Sequence, residues 1–274
     1  AVTFHDEVNM IACQVAHSVF QVPTKIARVR SQSYLQPGFQ DLFSQDHLPI
    51  DVIISPELEV GKAVLRRLAV PGAFDILNFA DGKVSVVGVT IEDDCPIVNT
   101  PLRQLTDLFP DLRSRVVGIV RNGELFVPQS DDQMLVGDEA YFAADVRDVR
   151  RTLGIFGHEE QAARRIVIVG AGNIGLHVAQ ELETNHPGTR VKLIERDREK
   201  AVQAADRLKR SIVLHGDGLD PELLQEAGIS ETETIVTLTN DDQANILSCV
   251  VAKREGCQRT MALINNNIYA PLMR

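Results

Sequence analysis

Apolar and polar positions along this 274-residue chain follow helical and strand periods in an order that changes near residue 73 and again near residue 157. In the first stretch, Val8, Ile11, Val15 and Val19 share one face at helical spacing over 6–20, and Pro23 ends that segment. The short apolar runs at 24–29 and 51–54 predict strands. Residues 31–43 predict a helix around Leu35 and Phe39, interrupted at Pro37-Gly38. Ser55-Pro56-Glu57 reads as a helix start, with Ser as N-cap and Pro in the first turn; that helix runs to about residue 69 and stops at Pro71-Gly72.

The middle stretch, 73–157, is strand-rich. Strands are predicted at 74–79, 83–91, 115–120, 124–127 and 139–143, with Ala80-Asp81-Gly82 and Arg121-Asn122-Gly123 as the turns between neighbours. Short helices are predicted at 101–108 and 145–153, which makes a small α+β module. Asp93-Asp94 is a candidate cation pair, with a solvated turn as the competing reading.

From residue 164, apolar runs alternate with helical patterns. Strands are predicted at 165–169, 191–194, 211–214, 234–238 and 261–264, and a helix at 221–227. Such alternation predicts a parallel sheet with helices on both faces, so the chain as a whole is α/β. The first strand runs directly into Gly170-Ala171-Gly172-Asn173-Ile174-Gly175, and a helix with Val178 and Leu182 on one face follows. In such a motif the first glycine permits the tight turn, the second lets a pyrophosphate approach the backbone, and the third lets helix and strand pack closely. The amides and dipole at the helix start favour a phosphate. Glu195 closes the next strand about 20 residues on, where an acid accepts from adenine-ribose hydroxyls. This placement favours NAD(H) or ATP-like ligands over NADP, with Arg196 softening the exclusion. Gly170, Glu195, Asp217 and Thr239 all stand at or just past strand carboxyl ends, where ligands of such sheets bind. Asp217 is also readable as a turn cap, Asp242 and Asn245 as caps of the following helix, and His177 as a packing residue.

The two ends of the chain match each other. Thr239-Asn240-Asp241-Asp242-Gln243-Ala244-Asn245 through Cys249 lies over Thr3-Phe4-His5-Asp6-Glu7-Val8-Asn9 through Cys13 at a shift of 236 residues, and Thr24 then falls on Thr260. With a slip of one residue, Tyr34 falls on Tyr269. This predicts an internal duplication. Residues 1–72 read as the back part of one dinucleotide-type domain with its linker helix, and 164–274 as the front part of another, incomplete at its C-terminal end. Half-sheets would expose unpaired edges, so the chain is expected to be a window of a longer protein, or to be completed by partner chains.

Composition changes this picture little. Hydrophobic residues make up 44% and charged residues 24%, which is ordinary for a globular protein. The net charge of −10 argues against a nucleic-acid partner. No apolar run reaches the roughly 20 residues of a membrane helix, and no signal peptide is visible. The four cysteines, Cys13, Cys95, Cys249 and Cys257, show no Cys-x-x-Cys spacing and are expected to be reduced and buried in a cytoplasmic protein.

These features together resemble the peripheral regulatory subunits of Trk-type bacterial potassium uptake systems, which are built from RCK (also called KTN) domains. The resemblance is carried by Thr3 to Asn9, Ile26-Ala27-Arg28-Val29-Arg30-Ser31, Val70-Pro71-Gly72-Ala73, the glycine motif with its strand, Lys192-Leu193-Ile194-Glu195-Arg196, and Thr239-Asn240-Asp241-Asp242. It implies Rossmann-like nucleotide-binding domains flanking a small RCK C-terminal domain at 73–157. It also implies NAD(H), with ATP or ADP as further ligands, held in one site by Gly170, Ala171, Gly172, Asn173, Ile174, Glu195, Asp217, Thr239 and Asn240. In the other site Thr3 and Phe4 would line the nucleotide and Arg28 would meet phosphate or ribose. The family usually has Asn where Phe4 stands. Arg28 falls on Ile264 in the repeat, so the two sites are expected to prefer different ligands, with phosphate-rich nucleotides favoured by the first. The implied partners are a potassium-translocating membrane subunit and further copies of the chain in a dimer or tetramer ring. The implied location is cytoplasmic, on the inner face of the membrane. No Tyr-x-x-x-Lys or His–Asp arrangement follows the glycine motif, so a sensor is expected. An NAD-dependent oxidoreductase is the alternative, and a structural module with a permanent nucleotide is a third.

Overall fold

The computed structural model describes residues 1–274 except 32, 33, 35, 36, 45, 267 and 270–274. It divides into two compact units, Ala1–Lys62 with Arg165–Arg274, and Ala63–Arg164.

In the first unit, β8 (Arg165–Val169), β9 (Arg190–Glu195), β10 (Ile212–His215), β11 (Thr234–Thr237) and β12 (Arg259–Ala262) form a parallel sheet in the order β10-β9-β8-β11-β12. The chain order reverses beside β8, which places a crevice at the carboxyl ends of β8 and β11. The middles of the central strands are apolar because both faces are covered: Ile166, Val167, Ile168, Ile235 and Val236 are all buried. The crossovers are α5 (Asn173–Asn185), α6 (Arg198–Arg207), α7 (Pro221–Glu226) and α8 (Asp242–Arg254). Caps set their starts, Asp197 accepting from Glu199 N and Lys200 N, and Asp241 from Gln243 N and Ala244 N. The last strand begins at Arg259, two residues before the apolar pattern suggests, because Thr234 to Thr237 of β11 pair with it residue for residue.

The same unit contains α1 (Asp6–Ser18), the parallel pair β1 (Ile26–Arg28) and β2 (Val52–Ile54), and the first turns of α2 (Pro56–Ala69). Met10, Cys13, Ala27, Val29 and Ile50 form its small core. Over the stretch expected to be one helix, a 3₁₀ helix occupies Pro37–Phe43. Proline supplies no amide there to continue a preceding turn; Leu35 lies outside the described residues. Ser55 begins α2 through its carbonyl, which accepts from Glu59 N at 3.1 Å. Its hydroxyl makes no hydrogen bond, so the expected side-chain cap is not formed.

The second unit is a five-stranded antiparallel sheet of β3 (Ala73–Phe79), β4 (Val84–Thr90), β5 (Ser114–Arg121), β6 (Glu124–Phe126) and β7 (Glu139–Asp145), in the order β3-β4-β7-β5-β6. Ala80, Asp81 and Asn122 adopt positive φ, with Gly82 and Gly123 beside them, as tight hairpin turns require. Short helices α3 (Leu102–Leu108) and α4 (Val149–Ile155) complete it around Ile119, Met134 and Phe142. The second helix starts four residues later than expected because β7 continues through Asp145 to pair with Val84. All four cysteines are free thiols and buried.

Candidate nucleotide-binding site

The three glycines after β8 meet different constraints. Gly170 has φ +104, and a Cβ on it would lie 3.1 Å from the carbonyl carbon and oxygen of Leu238. Gly175 admits no side chain, since its Cβ would sit 1.9 Å from Gly170 O. Gly172 is ordinary in conformation (φ −66, ψ −178) and has nothing within 4 Å of a Cβ. Folding therefore demands the first and third glycines, whereas the second leaves open space over the backbone at the start of α5. Gly172 caps α5 without any side-chain hydrogen bond, so the helix start offers amides and the positive dipole end to an anion.

Glu195, at the end of β9, is pinned across this turn. Its Oε2 accepts from Ala171 N at 2.6 Å and its Oε1 from Asp197 N at 2.8 Å. A carboxylate has about four acceptor positions, so both oxygens retain capacity for ribose hydroxyls. Asp217 accepts from Leu219 N at 3.0 Å, capping its own turn at the end of β10. Gly170, Gly172, Glu195, Asp217, Thr239 and Asn240 line one cavity of about 330 Å³. Ala171, Gly172, Asn173, Ile174 and Asn240 line a second, of about 430 Å³. Gly172, Lys200, Leu238 and Asn240 belong to both, so the cavities adjoin along the glycine turn. The nine residues expected around the glycine motif are thus brought together. The donor set fits an adenosine-bearing ligand: a carboxylate held on the turn with acceptor capacity to spare, an open backbone at Gly172, and a helix start beyond it.

Thr3, Phe4 and Arg28 form their own cluster and line neither cavity. Arg28 Nη2 donates to Thr3 O at 2.6 Å, and its guanidinium lies 5.6 Å from the Phe4 ring centroid. Its Nε is buried without a partner.

The duplication is visible as one hydrogen-bond circuit made twice. Thr3 N donates to Asn9 Oδ1 at 2.7 Å, and Thr239 N to Asn245 Oδ1 at 3.0 Å. The amide nitrogens of the same asparagines donate to Thr3 O and Arg28 O in one copy and to Thr239 O and Leu263 O in the other. Asp6 accepts from Arg30 N and Ser31 N as Asp242 accepts from Asn265 N and Asn266 N. Only a neutral amide can both donate and accept here, and both asparagines are fully buried. Leu263, rather than Ile264, is therefore the counterpart of Arg28: Arg28 N bonds Ala1 O as Leu263 N bonds Thr237 O. The connection between helix and strand is one residue shorter in the second copy. Asp242 and Asn245 brace the turn and the strand end, and Asp241 caps α8. The Asn265 and Asn266 donors hold the Asp242 carboxyl below its usual range.

Residues to which the sequence assigned no role also reach the site. Arg30, Glu57 and Val60 close the second cavity from the first repeat, and Lys200, Gln203 and Arg207 line it from α6. Arg30 is the counterpart of Asn265, which lines the same cavity, a correspondence that the hydrogen bonds to Asp6 and Asp242 reveal. His177 packs against α2, where a Cβ on Gly61 would lie 2.6 Å from its Cδ2. Burial pushes the Cys249 thiol up. Among the described residues no group of three His, Cys, Asp or Glu side chains could hold a metal, and no helix is long and apolar enough to cross a membrane.

Residues 166–274 match the TrkA-N domain and 86–157 the TrkA-C domain. The chain is 56% identical over 270 residues to the Trk system potassium uptake protein TrkA of Azorhizobium caulinodans, covering 98% of this chain and 59% of that protein. It is 42% identical over 274 residues to the protein of the same name from Halomonas elongata, again spanning 59% of it. A solved structure described as the GsuK channel bound to NAD superposes with a TM-score of 0.59 at 18% identity, over 100% of this chain and 50% of that one; this likeness concerns the fold. Both domain matches and the identity along nearly the whole chain lead to one conclusion: the chain belongs to the TrkA family of Trk potassium uptake proteins.

Proposed function

We propose that this chain is the nucleotide-sensing part of a regulatory subunit that gates a membrane potassium-translocating partner. The observation that carries the reading is the convergence of the open backbone at Gly172 with the Glu195 carboxylate on adjoining cavities, in a chain whose relatives are named potassium uptake proteins. The glycine-turn site takes NAD(H), with ATP or ADP as competing ligands; Thr3, Phe4 and Arg28 belong to the second, pseudo-equivalent site. Residues 1–72 and 164–274 are parts of two RCK N-type domains, and 73–157 is the small domain between them. Ligands that differ in affinity for two arrangements of these domains shift the balance between them. α2 is the physical link, since it starts in one compact unit and ends in the other. The subunit works as a homo-oligomeric ring on the cytoplasmic face of the membrane and catalyses no reaction.

The test is potassium flux through the reconstituted transporter with the full-length subunit, with NADH, NAD⁺, ATP and ADP added in turn. Flux is expected to change with nucleotide, and Glu195→Gln is expected to weaken NADH binding about tenfold, near 1.4 kcal/mol. Steady NADH consumption with a reducible substrate would favour an oxidoreductase, and a nucleotide that never exchanges would favour a structural module.

A further inference from the structure

The two adjoining cavities differ in charge. The one beyond Glu195 is lined by Glu195, Asp217 and Asp241 against Arg196 and Lys200. Among the described residues, the one across Gly172 is lined by Arg30, Lys200 and Arg207 against Glu57 alone. An adenosine group presents hydroxyl donors, which suit the carboxylates; phosphates suit the cations beyond the turn. Arg30 is the informative member, because it belongs to the first repeat. Its Nε donates to Glu57 Oε1, and Glu57 stands in the first turn of α2. The pair is incompletely satisfied: Glu57 Oε2 is buried with no partner, although the Glu57 side chain is only 12% exposed and that of Arg30 is 45% exposed. A buried carboxylate oxygen without a donor favours rearrangement of the pair.

Resting on the nucleotide reading above, we infer that Arg30 discriminates among ligands of the glycine-turn site by their terminal phosphates. In the free protein Arg30 is held by Glu57. A nucleoside triphosphate that seats its adenosine against Glu195 carries its outer phosphates past Gly172 into the basic cavity. There they compete with Glu57 for the Arg30 guanidinium. NADH puts its uncharged dihydronicotinamide nucleoside in the same space and leaves the pair intact. The terminal phosphate is thereby read on α2, the helix that leaves this unit. Phosphate-rich ligands are then not confined to the first site, where Arg28 alone suggested them.

Calorimetric titration of the full-length protein with ATP, ADP and NADH tests this. Arg30→Gln is expected to weaken ATP tenfold or more while moving NADH less than twofold. Glu57→Gln removes the competing anion and is expected to tighten ATP severalfold. Both effects must vanish in a Gly172→Asp background, which blocks this site and leaves the first one open. An unchanged ATP-to-NADH ratio in both variants, with binding otherwise intact, overturns the inference and leaves the nucleotide site standing. Persistence of the effects in the Gly172→Asp background also overturns it, assigning Arg30 to the first site. Absence of heat with every nucleotide in the unaltered protein overturns the site itself.

Discussion

Alanine at Gly172 and at Gly175, one at a time, should separate what the glycine turn does for folding from what it does for ligand. At Gly175 the added Cβ would sit 1.9 Å from Gly170 O, whereas real Cβ contacts stay beyond 3.0 Å, so the turn and α5 must part by at least 1.1 Å. The obstacle is backbone, which cannot rotate away as a side chain can. Overpacking of this kind costs about 1–3 kcal/mol, and the rigid neighbour puts Gly175→Ala toward the upper end. For a chain of this size that corresponds to a fall in Tm of roughly 5–10 °C. At Gly172 the backbone is already in a region open to alanine, and no atom lies within 4 Å of the new methyl. Gly172→Ala should therefore leave Tm within about 2 °C, or raise it slightly by restricting the unfolded chain. The same methyl stands where a pyrophosphate must approach, so nucleotide affinity should fall at least tenfold, about 1.4 kcal/mol. Scanning calorimetry and isothermal titration on the two variants provide the check. Wild-type Tm for Gly175→Ala, or wild-type affinity for Gly172→Ala, would refute the assignment of roles.

Three further outcomes follow from the same geometry. Asn245→Ala removes four hydrogen bonds to Thr239 and Leu263 at a fully buried position and should cost about 3 kcal/mol in denaturant unfolding; a loss below about 1 kcal/mol would contradict the bracing role. Gly61→Val should destabilise by about 1–3 kcal/mol through the contact with His177, and His177→Ala in the same chain should recover most of it; a double-mutant cycle with coupling under about 0.5 kcal/mol would exclude that contact. For Asp138, burial alone would raise the carboxyl, but the Arg121 guanidinium and Leu135 N outweigh it and hold it below its usual value. A depressed folded pKa means the contribution is complete above the unfolded value of about 3.9 and disappears as pH falls through the folded one. Asp138→Asn should thus lower Tm at neutral pH and flatten its fall below about pH 4; parallel curves would rule this out.

The readable parts were those where one short segment carries the whole constraint. Gly170 to Gly175, with the apolar strand before it and Glu195 after the next, fits a pattern whose causes are local. The hairpin at Asn122-Gly123 needed only positive φ, and the strand–helix alternation required a parallel sheet. The repeat was legible because Thr3 and Thr239, Asn9 and Asn245, Asp6 and Asp242 are fixed by the same hydrogen bonds in both copies. Its exact register was not, since a one-residue difference in the connection moves the counterpart of Arg28 from Ile264 to Leu263 without disturbing the apolar pattern. The helix expected over 31–43 is 3₁₀ at Pro37–Phe43, where apolar spacing competes with a proline.

Sequence alone determined that the chain contains a duplicated α/β unit, a glycine turn poised for an anion and an acid beside it, because strand and helix periods and turn conformations depend on neighbours a few residues apart. Tertiary structure alone decided that Arg30 and Glu57 stand across the turn from Gly172, that Gly61 lies against His177, and that acidic and basic cavities adjoin. Those relations join residues more than 100 positions apart, and only the packing of one repeat on the other brings their charges to the same space.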